Sequence, residues 1–152
     1  MLNVVLYQPD IANNVGSIIR SAVAFDCELH IIEPCGFIFD LNKIKKTALD
    51  YIDHAKIIRH KSFDLFLQEE IIKKNNRLIL ASTRGSINYY KFSFNNNDYI
   101  MFGRESSGVP DDVFCKINHR IFIPTSTKVR SLNIANACSI IIAHALSSIA
   151  NH

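Results

Sequence analysis

YIMFGRESSGVPDDVFCKINHRIFIPTSTKVRSLNIAN, from Tyr99 to Asn136, is the stretch from which the fold is read. An apolar run, Tyr99–Phe102, breaks off at Gly103 into a polar turn of Arg104, Glu105, Ser106 and Ser107, followed by Gly108. Pro110 and Asp111 then start a short helix. A second apolar run, Ile121–Ile123, stops at Pro124 and opens into Thr125–Ser131, a loop with four hydroxyls, Lys128 and Arg130. A long apolar helix, Asn133–Ile149, follows directly. Two strands that each end in a glycine- or hydroxyl-rich polar loop predict a ligand site at the carboxyl edge of a parallel sheet. Two ordinary strand–loop–helix connections would look the same locally, so the rest of the chain has to decide.

Upstream, strand and helix alternate. Leu2–Tyr7 is a short apolar run ended by Gln8-Pro9-Asp10, because Pro9 cannot donate to a ladder and Asp10 favours a turn. Asn13 and Asn14 are candidate N-caps for a helix from Val15 to about Phe25, on which Ile18, Ala22 and Phe25 share a face. Arg20 falls off that stripe. Leu29–Ile32 and Lys56–Arg59 are the next strands, and Leu41–Tyr51 is the helix between them. Ser62 caps a helix holding Phe63, Phe66, Leu67, Ile71 and Ile72. Leu78–Ala81 opens into Ser82-Thr83-Arg84-Gly85, while Ser86–Asp98, rich in aromatics and asparagine, has no clear period. Each strand reads as a continuous apolar run, which predicts an α/β fold with a parallel sheet covered by helices on both faces. No linker or repeat divides the chain, so residues 1–152 are expected to form one domain.

Composition narrows the function. The chain is 48% hydrophobic and 20% charged, with a net charge of +3 and a pI near 8.7. It is globular and mildly basic, which permits an anionic partner such as RNA without requiring one. No apolar run approaches the ~18 residues of a membrane span, and the N-terminus lacks a secretory signal, so a cytoplasmic protein is expected. The four cysteines, Cys27, Cys35, Cys115 and Cys138, have no CxxC spacing. Neither they nor His30, His54, His60, His119, His144 and His152 stand at metal-ligand intervals, so no metal is expected and the thiols are read as buried or idle. The five glycines make neither GxGxxG nor GxxxxGK[ST]. That disfavours a dinucleotide or triphosphate and leaves a phosphate-free ligand held by the late loops.

Asn14-x-Gly16-x₃-Arg20, FGRESSGVP at Phe102–Pro110, and IP…RSLNIANA from Ile123 to Ala137 resemble the three sequence motifs of the SPOUT methyltransferases. More narrowly they are similar to the small single-domain TrmH-like group. The opening LNVVLYQPDIANNVGSIIRSAVAFDCELHIIEPCGF is similar to the tRNA (cytidine/uridine-34) 2′-O-methyltransferases of the TrmL or YibK type. The resemblance spans nearly the whole chain. It implies a six-stranded parallel sheet whose C-terminal segment threads a deep trefoil knot, an arrangement that composition alone could not show. It also implies S-adenosylmethionine (AdoMet) as cofactor, contacted by Ala81, Gly103, Ile123 and Ser131, with Gly103 supplying close backbone approach to the ligand.

By the same resemblance, Arg20 is the catalytic arginine, orienting the ribose-phosphate and stabilising charge on the attacking oxygen; otherwise it is a surface arginine. Asn14 would position Arg20 or the ribose, or simply cap the first helix. Glu105 would orient Arg20 or meet the sulfonium charge, or be a solvated turn residue. Ser131 and Asn133 match the motif Ser-x-Asn, or cap the last helix. Asn136 is expected to buttress the knot. Arg104 stands where relatives often have proline, Ser107 where they often have arginine, and Ala143 where they often have tyrosine.

A tRNA substrate would be held through an unstacked loop ribose and flanking phosphates. Lys43, Lys45, Lys46, Arg59, Lys61, Lys128 and Arg130 are candidate contacts, or ordinary solvated charges. The family implies a homodimer with an active site shared between subunits. In keeping with that, Ile134, Ala137, Cys138, Ile140, Ile141, Ile142, Ala145, Leu146 and Ile149 cover much of the last helix. The leading expectation is therefore AdoMet-dependent 2′-O-methylation of the tRNA wobble nucleotide (position 34). The alternatives are another tRNA position, ribosomal RNA, or a non-enzymatic RNA-binding module.

Overall fold

The computed structural model describes residues 1–151; His152 lies outside the described residues. The chain builds β1 (Asn3–Tyr7), α1 (Ala12–Ala24), β2 (Glu28–Ile32), α2 (Leu41–Ala48), β3 (Ile57–His60), α3 (Phe63–Phe66), β4 (Leu78–Ala81), β5 (Ile87–Asn88), β6 (Tyr99–Phe102), α4 (Asp111–Cys115), β7 (His119–Phe122) and α5 (Ile134–Ala150). Every strand pairing is parallel, in the order β3-β2-β1-β6-β4-β7-β5. All residues of β1 and β6 are buried, as continuous apolar strands in a sheet covered on both faces should be.

The sheet has seven strands rather than six. The extra one, β5, is two residues long and pairs Ile87 with Ile121 and Asn88 with Phe122. Two residues are too few to carry a period, which is why Ser86–Asp98 could not be assigned from sequence. Gly85 turns the chain into this pairing. A Cβ there would meet the Ile121 carbonyl at 2.3 Å, so only glycine lets β5 lie this close to β7.

Two apolar layers flank the sheet. One face packs Leu6, Ile31, Ile79 and Ile100 against α1, α2 and α5 through Ile18, Ile44, Cys138, Ile141 and Ile142. The other packs Val5, Ile32, Leu80 and Met101 under Phe63, Phe66, Ile71 and Val113. Alternation along each strand thus feeds two cores of the α/β type. Cys27 and Cys138 are buried, Cys35 is half-buried and Cys115 is exposed, and all four are free thiols. Burial pushes the Cys27 and Cys35 thiols up to about 11, which fits idle rather than reactive groups. Among the described residues no helix is long and apolar enough to cross a membrane.

Local chemistry moved several boundaries. The first helix begins at Ala12, so Ile11, which gives no side-chain cap, occupies the N-cap in place of Asn13 or Asn14. Asn13 instead accepts from Thr47 Oγ1 at 3.1 Å, and Asn14 is left free for the loops. The second helix stops at Ala48 and continues as a 3₁₀ turn, Leu49–His54, after Leu49 takes φ of 57°. Ser62 caps as expected, its Oγ accepting from Leu65 N at 3.2 Å, but the helix it starts widens into a π turn at Leu67–Ile72. In α5, eight of the nine apolar residues named above are buried or half-buried within the chain itself, and Ile140 is exposed.

Candidate active site

Three loops leave the carboxyl ends of neighbouring strands β6, β4 and β7 and enclose a cavity of about 650 Å³. Its wall carries Ala81 at the end of β4, Gly103 after β6, and Ile123 and Ser131 after β7. All four residues expected to hold the cofactor therefore meet around one space. Asn14, Glu105 and Asn133 line it as well.

The loop after β6 is folded back on itself. Arg104 and Gly108 exchange N–H···O=C hydrogen bonds, both at 2.9 Å, and Gly108 adopts φ of +66°. A Cβ on Gly103 would meet Gly108 backbone atoms at 2.7–3.1 Å. Gly103 is thus required by its own loop, whatever the cavity holds. The same loop is tied to the end of β1. Asp10 accepts from Ser106 N at 3.1 Å and from Ser106 Oγ at 2.5 Å.

The polar residues of the three motifs form a chain of hydrogen bonds. Glu105 Oε2 accepts from Asp10 N at 2.8 Å, and Glu105 Oε1 accepts from Asn14 Nδ2 at 3.2 Å. Asn14 Oδ1 in turn accepts from Asn133 Nδ2 at 3.2 Å. Asn133 also caps α5, its Oδ1 accepting from Ala135 N at 2.9 Å and Asn136 N at 3.4 Å. Asn133 therefore caps α5 and bonds the motif residue Asn14 at once. Glu105 does not orient Arg20: its two oxygens hold the loop after β1 and the Asn14 amide. Asn14 likewise bonds Glu105 and Asn133 rather than Arg20.

Arg20 lies on the far side of that chain. It is exposed on α1, with its guanidinium 5.3 Å from the Tyr51 ring centroid. A second hollow of about 600 Å³ opens around it, shared with Ser17, Phe25, Tyr51, Asn136 and Ser139. Asn14 and Asn133 line both spaces, so they form the partition between them. Ser21 and Ser139, 2.8 Å apart at their hydroxyls, fix α1 against α5 on the groove floor. Sequence reading missed Phe25 and Tyr51 as groove residues. Phe25 counted as core by its period but is 36% exposed, and Tyr51 sits on a turn that carries no period. Asn136 is exposed in this groove.

Positive charge is unevenly spent. Arg84, in the cavity wall, is paired with Asp111 at 3.1 Å and lies over Phe114. Arg59, a candidate RNA contact, is tied to Glu33 and lies over Phe39. Arg104 points across the Tyr7 ring, and its buried Nε has no partner.

The cavity wall is mixed. Phe102, Val109, Ile123, Leu132 and Ile134 make it apolar in part, beside Arg84, Arg104 and Arg130. Its wall has no run of glycines to cradle a pyrophosphate. A cavity of this volume is of the size that takes a small-molecule cofactor.

The profile of the SpoU rRNA methylase family matches residues 1–143. The chain belongs to that family. Its relatives include a tRNA (cytidine(34)-2′-O)-methyltransferase of Ancylobacter novellus, 41% identical over 145 residues, which cover 95% of this chain and 91% of the relative. A solved structure concerned with the 2′-OH methylation of C/U34 on tRNA matches with a TM-score of 0.94 at 36% identity, over 100% of this chain and 98% of that one. A more distant SpoU methyltransferase, AviRb of Streptomyces viridochromogenes, was solved in complex with AdoMet. It matches with a TM-score of 0.87 at 22% identity over 97% of this chain and 57% of that one, a likeness of fold. As a SpoU family chain, the protein brings all three motif segments to one carboxyl edge, with Asn14, Glu105 and Asn133 as their points of contact.

Proposed function

We propose that this chain is an AdoMet-dependent tRNA 2′-O-methyltransferase acting on the ribose of the wobble nucleotide, position 34 of the anticodon loop. The observation that carries this reading is the partition. A cavity and a groove around an exposed arginine lie back to back, separated by Asn14 and Asn133. A methyl donor on one side and a ribose on the other would meet at that wall. Relatives at 36–41% identity concerned with the same nucleotide support the choice of substrate.

Bound in the cavity, AdoMet supplies a methyl group already activated on a sulfonium, so the protein has chiefly to align and to stabilise charge. Ala81, Gly103, Ile123 and Ser131 would hold the cofactor through backbone groups and apolar contact. Arg20 stands in the groove, where its guanidinium would hold the ribose-phosphate and stabilise negative charge developing on the attacking oxygen, whose proton passes to water in the open groove. Asn14 and Asn133 serve as positioning residues: the Glu105–Asn14–Asn133 chain locks the loops after β1, β6 and β7 into one wall. Phe25 and Tyr51 offer apolar surface beside Arg20 for an unstacked base.

The finer parts of this reading rest on the family resemblance. They are a single domain over 1–152, a deep trefoil knot formed by the segment after β7, and a cytoplasmic homodimer whose partner completes the groove. Loops after β6 and β7 that wrap one cavity are compatible with the knot, and the exposed Ile140 on α5 is compatible with a partner surface. Titration calorimetry with AdoMet tests the cofactor site. One equivalent bound per chain is expected; absence of heat at any concentration would leave only an RNA-binding module.

A further inference from the structure

On the opposite face of the sheet, two imidazoles and a carboxylate converge from three elements, and none of them lines the cavity or the groove. His30, in the middle of β2, is fully buried. Its Nδ1 lies 2.9 Å from Nε2 of His60, the last residue of β3, and the two rings stack at 12°. Glu70 comes from the π turn, and its Oε2 accepts from Tyr99 Oη at 3.0 Å and from Lys74 Nζ at 2.6 Å. One donor atom from each of His30, His60 and Glu70 lies within 4.8 Å of the other two. The remaining His30 nitrogen, Nε2, is buried without a hydrogen-bond partner, and the Glu28 carboxylate is 3.9 Å away.

We propose that His30, His60 and Glu70 form a structural site for a divalent transition-metal ion of the Zn²⁺ class, with water in the fourth position. Two imidazoles and one carboxylate are a donor set that such an ion takes while keeping one position open. A bare Nε2 on His30 would set a lone pair beside the Glu28 carboxylate, so Nε2 carries the hydrogen and Nδ1 accepts from Nε2–H of His60. An incoming ion takes the place of that proton, which moves to Nδ1 of His60. A ligating histidine whose other N–H faces a carboxylate is the usual outer arrangement, and Tyr99 plays the same supporting part for Glu70. Metal–nitrogen bonds of about 2.0–2.1 Å in a tetrahedron need the two nitrogens roughly 3.3 Å apart. The rings must therefore part by a few tenths of an ångström. That is feasible because His60 is half-buried and ends an edge strand. The Lys74 ammonium now on Glu70 is 56% exposed at its own end and is free to swing into solvent when a dication takes its place. The ion would tie edge strand β3 and the π turn to β2. Linear spacing could not show the site, because each ligand comes from a different element.

Co²⁺ titrated into the full chain, first stripped of metal by chelation and dialysis, tests this. One equivalent should raise the visible absorption of a four-coordinate ion, and Zn²⁺ should displace it. At a hundredfold excess over Kd, Zn²⁺ should raise the thermal midpoint by roughly 5–10 °C. Glu70→Gln, which keeps the shape of the half-buried side chain, and His60→Gln should each remove both effects, while Cys115→Ser should leave them intact. If His60→Gln fails to fold by circular dichroism, Glu70→Gln alone decides. Absence of the absorption in the unmodified chain, or its persistence in Glu70→Gln, would overturn the site and leave an ordinary hydrogen-bonded histidine pair.

Discussion

Arg20 and Asn14 are only two turns apart on one helix, yet they sit on different surfaces with different tasks. Arg20 carries the groove's charge, and its side chain makes no wall of the cofactor cavity. Arg20→Ala should therefore lower methyl transfer about 100- to 1000-fold while AdoMet affinity stays as in the unmodified chain. Single-turnover transfer measured beside calorimetry checks this, and equal loss of both would contradict it. Gly103 gives the converse case. An alanine there pushes a Cβ into the Gly108 backbone at 2.7 Å, where no flexible side chain can yield. Gly103→Ala should cost about 1–3 kcal/mol of stability and open the loop, weakening AdoMet binding more than it weakens RNA binding. At this scale the sequence pointed to residues that the fold brings together and said less about what they touch. Glu105, Asn14 and Asn133 were legible from their motifs. Their bonding to one another was not, because it joins residues about 90–120 positions apart.

At the scale of elements, strands were the most legible and their ends the least. β4 and β6 begin and end where their apolar runs do, since both are buried on both faces and bounded by turn residues. The helix after Ser62 and the one after Asp40 were legible at their starts, where a side-chain oxygen caps the backbone. Neither the π turn nor the 3₁₀ turn that follows them has a local sequence cause as plain as a cap. One tie between elements carries much of the frame under the site. Arg77, at the start of β4, donates from Nε and Nη2 to Asp98, ahead of β6, at 2.8 and 2.6 Å, and Asn95 N donates to Asp98 at 2.8 Å. Asp98 is 2% exposed. Asp98→Asn should destabilise the fold by about 2–4 kcal/mol, below the loss for a fully buried pair because Arg77 keeps 32% of its side chain in solvent. Urea unfolding checks this; a change under about 0.5 kcal/mol would mean the pair is a surface ornament.

For the whole molecule, the parallel α/β class followed from alternation alone, because a parallel strand cannot return without a covering crossover. The strand order did not, and neither did the seventh strand, since both depend on pairings across the chain. The proposed dimer belongs to this scale as well. Most of the apolar circumference of α5 is consumed by the chain's own core, so any partner surface must centre on what remains, with Ile140 in it. Sedimentation velocity should show a dimer that Ile140→Asp converts to monomer with loss of transfer; a monomeric unmodified chain would remove the shared groove. The most direct test of the central claim is to incubate the protein with labelled AdoMet and tRNA and map the methylated nucleotide by nuclease digestion and mass spectrometry. A single 2′-O-methyl group at nucleotide 34 is the expected result, and label at any other position, or in none, would contradict it.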